Sequence, residues 1–423
     1  VNPVSRYLKP LQGNAKVCVA FHPLWSIPYA VYMFYLSLYL KEQGITDSQL
    51  GQLMMVGNIV GMVASVLSAP IVDRLGRRTT TLVFDLISSA LPPLIFLTTS
   101  SYSWAFVAMV AANLNRIMSI GFYLTMIEDS SEQTNVVAMN LFNFITVAAG
   151  LVVPAAGLVV GRLGLVTAQR WFLLVSAISM TLLATVRHFL LKETTVGLHI
   201  RQQARQLRAL RSKKPTVSDW LQGVDMYRQA FAYLATHPQA ARALRTNILF
   251  YTYYAVGTSV SLYFTPYFTG HLALSASQAS LVGGLYSAGT LAAMLLINPA
   301  YTRTNNALFM TISAAVSLVG FVLLIVAPGG AFAWVAVAVV AISVGFGMLK
   351  SATDANIAME TAGTNRSGVY AISYLVSALL SVAVLGLLSL LYASFPPWLF
   401  ILSAVLMAFV VVDQSRHLAR RNE

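Results

Sequence analysis

Four ionisable side chains stand inside stretches that are otherwise apolar: Asp85, Arg116, Lys350 and Asp354. A charge at the centre of a bilayer costs about 2.5–3.5 kcal/mol on insertion scales, so such residues face a protein interior or a watery path. The chemistry open to them is solute binding and proton exchange. Burial favours the neutral form of an acid and a neighbouring cation favours its anion. An acid whose solvation and partner both change can therefore load and release a proton. Lys350 and Asp354 are four residues apart and can pair on one helical face, which puts Asp354 first among the proton carriers. Asp85 has no charge three or four residues away and would draw on Arg74, Arg77 or Arg116. His22, deep in the first apolar run, titrates in the right range and is the third candidate. Arg116, with Asn113 one turn before it, lies near the middle of its apolar run, where an unpaired cation has few purely structural uses. Trp25, Tyr29 and Tyr32 follow at spacings of four and three, as do Asn247, Tyr251 and Tyr254, so each set forms a stripe that either packs or lines a site.

The chain offers no enzyme chemistry to go with them. It contains no Gly-x-x-x-x-Gly-Lys loop, no His-Glu-x-x-His and no paired His or Cys ligands, and its single cysteine is Cys18. Catalytic residues, a metal and a cofactor are therefore not expected, and an ion or solute gradient rather than ATP would drive any work done.

The elements that must position these residues are membrane helices. Of 423 residues, 57% are hydrophobic and 10% charged, against about a quarter charged in soluble domains. A spanning helix needs about 20 mostly apolar residues. Twelve segments qualify: 17–40, 49–70, 79–99, 104–127, 136–160, 168–190, 246–269, 277–298, 306–327, 331–356, 368–392 and 396–412. The start, Val1 to Lys16, is polar and basic, and the apolar run after it is too long for a signal-peptide core. The long connection after the sixth segment divides the chain into a bundle at 1–191, a basic linker at 192–245 and a second bundle at 246–423 with a short basic tail. In the linker Arg201, Arg205, Arg208 and Arg211 share a helical face, followed by Lys213-Lys214-Pro215 and a second helical stretch, Val217 to Ala235.

With the N-terminus cytoplasmic, 22 of the 27 lysines and arginines, Arg187 among them, fall inside; three fall outside and two within spans. The positive-inside rule then places both termini in the cytoplasm. The net charge of +13 is read as facing anionic lipid headgroups rather than nucleic acid. The halves also repeat faintly. Ser48-Gln49 matches Ser277-Gln278 at an offset of 229, Arg74 falls on Arg303, and Thr134-Asn135 matches Thr364-Asn365.

Between the second and third segments lies Ala69-Pro-Ile-Val-Asp-Arg-Leu-Gly-Arg-Arg78. Its Asp73, Arg74, Gly76, Arg77 and Arg78 resemble the Gly-x-x-x-Asp-Arg-x-Gly-Arg-Arg loop between helices 2 and 3 of the major facilitator superfamily, with Ala69 in place of the first glycine. The resemblance implies an all-α membrane protein of twelve transmembrane helices in two pseudo-symmetric six-helix bundles, related as parallel repeats. It implies alternating access around a cavity lined by helices 1, 4, 7 and 10, which would take in the two aromatic stripes, Arg116 and Lys350. It implies a gating role for the loop motif, with Glu128 or Asp129 pairing with Arg74 or Arg77 on the cytoplasmic side. Family antiporters carry Gly-x-x-x-Gly-Pro-x-x-Gly-Gly in helix 5; here Ala149, Pro154 and Gly157 match in part, leaning toward export. The expectation is a monomer in a bacterial inner membrane, moving a small amphipathic solute outward in exchange for protons. Proton-coupled uptake of an organic anion or sugar is the alternative, and a non-transporting receptor or scaffold the remote one.

Overall fold

Residues apolar on every side cannot leave backbone N–H and C=O groups unpaired in lipid, so each long apolar run closes its hydrogen bonds within itself as a helix. The computed structural model describes residues 11–98, 101–130, 132–199, 202, 228, 230–298, 306–360, 366–392 and 394–422. Among the described residues twelve long helical segments follow in order. They are α1 (Gly13–Glu42), α2 (Asp47–Leu75), α3 (Arg77–Thr98), α4 (Tyr102–Ile127), α5 (132–163) and α6 (Leu165–Leu190). The second set is α7 (Pro238–Pro266), α8 (Ala276–Ile297), α9 (Asn306–Ile325), α10 (Phe332–Glu360), α11 (Arg366–Leu391) and α12 (Trp398–Asn422). Ten of them are long and apolar enough to cross a membrane over their described residues. The chain divides into two units, Val1–Lys214 and Pro215–Glu423, each holding six of these helices.

Several boundaries differ from those expected. Helix α2 runs through Leu75, so Asp73 and Arg74 occupy its last turn rather than a loop. A single residue, Gly76, joins it to α3, with φ 87° and ψ 157°. Gly164 joins α5 to α6 with nearly the same angles, φ 77° and ψ 157°. Both glycines follow Arg-Leu, and both donate their N–H to the carbonyl four residues back, Val72 and Val160. A side chain is disfavoured at such a positive φ, so the glycine is the joint itself. Helix α7 starts at Pro238, eight residues before the expected 246, because proline suits the first helical turn. The tail after 412 is the continuation of α12.

The linker is not one element. Residues 195–199 form a short helical turn capped by Thr194, whose hydroxyl accepts from the Gly197 N–H at 3.0 Å. At the other end Ala230 is fully buried with Leu244, Ile357, Val369 and Ile372 in the core of the second unit. The basic face Arg201, Arg205, Arg208 and Arg211, the Lys213-Lys214-Pro215 run and Val217 to Tyr227 lie outside the described residues.

The faint repeat is written in matching contacts. Helix α2 begins with a capping box of Thr46 and Gln49, and α8 with one of Ser275 and Gln278, an offset of 229 (46 to 275). In the first unit buried Tyr39 donates to the Phe96 carbonyl at 3.2 Å. In the second Tyr267, 228 residues on, donates to the Leu324 carbonyl at 3.3 Å. Tyr35 and Tyr263, at that same offset, are fully buried. Each unit therefore ties its first helix to its third in one way.

Breaks fall near the polar residues. Helix α1 is interrupted at His22, where Pro23 begins a new helical run. Helix α4 is interrupted at Leu114, between Asn113 and Asn115. Helix α3 widens to a π-turn over Leu86–Ala90, directly after Asp85 and just before Pro92 and Pro93, which have no N–H to give.

Candidate functional site

Three groups of side chains emerge, two in the first unit and one in the second. The loop motif forms the first. Arg77 is buried at 3% exposure, and its guanidinium grips Glu128 of the α4 terminus through two bonds of 3.1 and 3.2 Å. A third, of 2.9 Å, goes to Asp73. This two-pronged grip is the geometry arginine favours for carboxylates. Thr194 donates to Glu128 as well. Glu193 accepts the N–H groups of Arg77 and Arg78 at 2.9 and 3.3 Å, a carboxylate seated on the N-terminus of α3. Arg78 donates to the His188 carbonyl at 2.8 Å. Asp129 accepts from the Thr195 N–H and hydroxyl. Arg74 is exposed and has no partner among the described residues.

Glu193, Thr194 and Thr195 complete this cluster, and sequence reasoning passed over them as linker. The available signal was an acid set directly after α6, ahead of a run to Lys214 whose charged residues are all basic. In the second unit, offsets of 229 and 228 carry Arg77 and Glu128 to Asn306 and Asn356, whose side chains hydrogen-bond each other. The charged contact of one unit is thus a neutral one in its repeat. Asp73→Asn removes the negative charge from one of three contacts to Arg77, at a side chain that is 45% exposed. Folding stability is expected to fall by less than about 1 kcal/mol, while transport slows at equal protein level. An unaltered rate would count against a gating role for Asp73.

The second group surrounds α1 and α4. His22 accepts or donates to Thr146 of α5 at 2.8 Å and lies between Trp25 and Phe142, with ring centroids 5.6 and 4.0 Å away. Trp25 stacks on Tyr29 at 4.5 Å, and Tyr29 meets Tyr32 edge-on at 5.6 Å. The expected stripe is continuous, but Tyr32 is 3% exposed, a packing residue rather than a surface for a solute. On α4, Asn113 donates to the Met109 carbonyl at 2.8 Å and packs on Gly57 of α2. Arg116 lies over Gly61, where a Cβ would stand 3.6 Å from its side chain, and is exposed.

Asp85 requires a correction. Its partner is none of the three arginines expected; it is Arg187 of α6, counted from the sequence among the cytoplasmic charges. Asp85 is 2% and Arg187 4% exposed, and the guanidinium carbon sits 4.8 Å from the centre of the Phe122 ring. Arg187 lies three residues from the end of the expected segment 168–190 and was counted with the cytoplasmic charges; α6 does end at Leu190, but its last turn carries Arg187 inward.

The third group joins α7 and α10. Lys350 donates to Asp354 at 3.3 Å along α10, and Tyr251 of α7 donates to the other carboxylate oxygen at 2.8 Å. The acid is 36% and the lysine 24% exposed. Tyr254 stacks on Phe346 at 5.7 Å, beside Phe250. Asn247 does not join them. It is 1% exposed and accepts from Ser373 of α11 at 2.5 Å, because α7 packs on α11 as well as on α10.

Two units of six helices, with ionisable groups inside apolar spans and this loop motif, define a transporter of the major facilitator class. The chain belongs to the MFS_1 like family, whose model matches residues 29–241. No curated protein sequence matches it. Among solved structures it is similar to a POT family transporter in complex with a thioalcohol-conjugated peptide, at 12% identity and TM-score 0.71 over 98% of each chain. It is similar to the nucleoside transporter NupG, at 14% identity and TM-score 0.67 over 96% of this chain and 99% of that one. It is also similar to the E. coli xylose transporter XylE in a partially occluded inward-open conformation, at 13% identity and TM-score 0.66 over 97% and 98%. At these identities the likeness is one of fold.

Proposed function

We propose that the protein is a secondary active transporter that moves a small amphipathic solute by alternating access, coupled to protons, and that it works as an exporter exchanging solute for proton. The observation that carries this reading is Asp354: an acid in a membrane-spanning helix, partly open to solvent, with two movable partners in Lys350 and Tyr251. Protonation of Asp354 would release Lys350, and deprotonation would recapture it, so proton binding and cation availability are linked at one site. Asp85, buried against Arg187, is a structural pair member in this account, and His22 a packed and hydrogen-bonded one. The export direction rests on Ala149, Pro154 and Gly157 of α5 alone. Uptake of an organic anion or sugar is the second reading, and exposed Arg116 favours its anionic form. A substrate panel in proteoliposomes under an imposed pH gradient reports solute and direction together. Flux no greater than in empty vesicles for every solute would remove the transport reading.

We place both termini in the cytoplasm of a bacterial inner membrane and read the protein as a monomer. On a Cys18→Ser background, Ser101→Cys and His271→Cys are expected to react with an impermeant maleimide from outside intact cells. Ser415→Cys is expected to react only after permeabilisation. The reverse pattern would invert the topology.

A further inference from the structure

We infer that the transported solute carries an anionic group, a carboxylate or a phosphate, and that Arg116 binds it. The inference rests on the transport reading and gives its substrate a chemical class. Among the described residues, three further cations of the spans are closed by acids of the same unit: Arg187 by Asp85, Arg77 by Glu128 and Asp73, Lys350 by Asp354. The exposed Arg162 and Arg170 lie within two turns of a helix end, whereas Arg116 lies in the middle of α4. Arg116 is exposed and has no hydrogen-bond or ion-pair partner among them. Its position is built rather than incidental. Gly57 and Gly61 of α2 face Asn113 and Arg116 across the helix contact, and a Cβ at Gly57 would come within 2.5 Å of the Asn113 amide nitrogen. A side chain at Gly57 would crowd Asn113, while a Cβ at Gly61 would meet Arg116 at ordinary contact distance, 3.6 Å. Helix α4 breaks at Leu114, two residues before Arg116.

A cation in the middle of a membrane span and lacking an acid leaves its charge to be balanced by what binds there. A neutral sugar or amine would leave it unbalanced. A carboxylate or phosphate meets the guanidinium fork with two charge-assisted bonds. Lysine would supply the charge without the fork.

The test uses the purified full-length protein in detergent and matched pairs of probes: benzoate against benzamide, hexanoate against hexanamide, and glucose 6-phosphate against glucose. In at least one pair the anion is expected to raise the melting temperature of the wild type and its neutral partner not to. Arg116→Gln should weaken that anion about ten-fold or more, and Arg116→Lys less. Melting of the two variants without probe reports whether their fold is kept, and the wild-type preference within pairs stands independently of them. No anion-dependent shift in any pair, equal shifts from neutral partners, or an undiminished anion preference in Arg116→Gln would each overturn the inference. A neutral probe that binds and also exchanges across vesicle membranes would overturn the anionic class and leave transport standing. An anion that binds through Arg116 yet never exchanges would count against transport instead.

Discussion

Asp85→Asn is expected to lower the unfolding free energy of the protein by about 3–5 kcal/mol, the cost of leaving one member of a buried ion pair without the other. Asp85 and Arg187 are 2% and 4% exposed, so water cannot take the place of the missing carboxylate. Phe122 covers the guanidinium but its ring face replaces only a fraction of a full charge. The Arg187 Nε already has no hydrogen-bond partner, so the loss falls on a group with no spare contact. The site also anchors α3 just where its π-turn begins, at Leu86. Arg187→Met alone should cost a similar amount, and the combination with Asp85→Asn should recover much of it, because removing both charges removes the desolvation of each. Denaturation in detergent, followed by tryptophan fluorescence, measures all three. Single variants that lose less than about 1 kcal/mol would show that the pair is solvated.

Asp354→Asn is expected to abolish accumulation driven by a pH gradient while solute exchange between equal pools continues. Each proton exchanged across a one-unit gradient can sustain about a ten-fold concentration ratio. The variant should therefore bring that ratio back to one. Asparagine keeps one acceptor oxygen for Tyr251, lets go of Lys350 as a protonated acid would, and takes up no proton, so solute binding and helix packing survive where coupling does not. A variant that accumulates with a normal pH profile would make Lys350–Asp354 a structural pair and return the search to Asp85 and His22.

The membrane class and twelve-segment plan were legible because hydropathy is a property of contiguous residues. The loop motif was legible because Asp73, Gly76, Arg77 and Arg78 are adjacent. Contacts at long separation were not. Arg187 meets Asp85 over 102 residues, and nothing local to either marks the other. Glu193 looked like linker because its role is to accept N–H groups of Arg77 and Arg78, which belong to another helix. Asn247 shares a helical stripe with Tyr251 on paper, yet a helix packed on two neighbours sends successive members of one stripe to different partners. The repeat is clearer in three dimensions than in the sequence, since Tyr39 and Tyr267 perform the same hydrogen bond among otherwise dissimilar residues.

Movement of solute and proton in one cycle is the property on which the proposed function stands. It is tested most directly by loading proteoliposomes with a transported solute and a pH-sensitive dye in weak buffer, with no pH gradient imposed, and diluting them into solute-free medium. The lumen is expected to acidify in step with solute loss, and Asp354→Asn to lose the acidification. Solute leaving at a full rate while the lumen pH stays constant would contradict it.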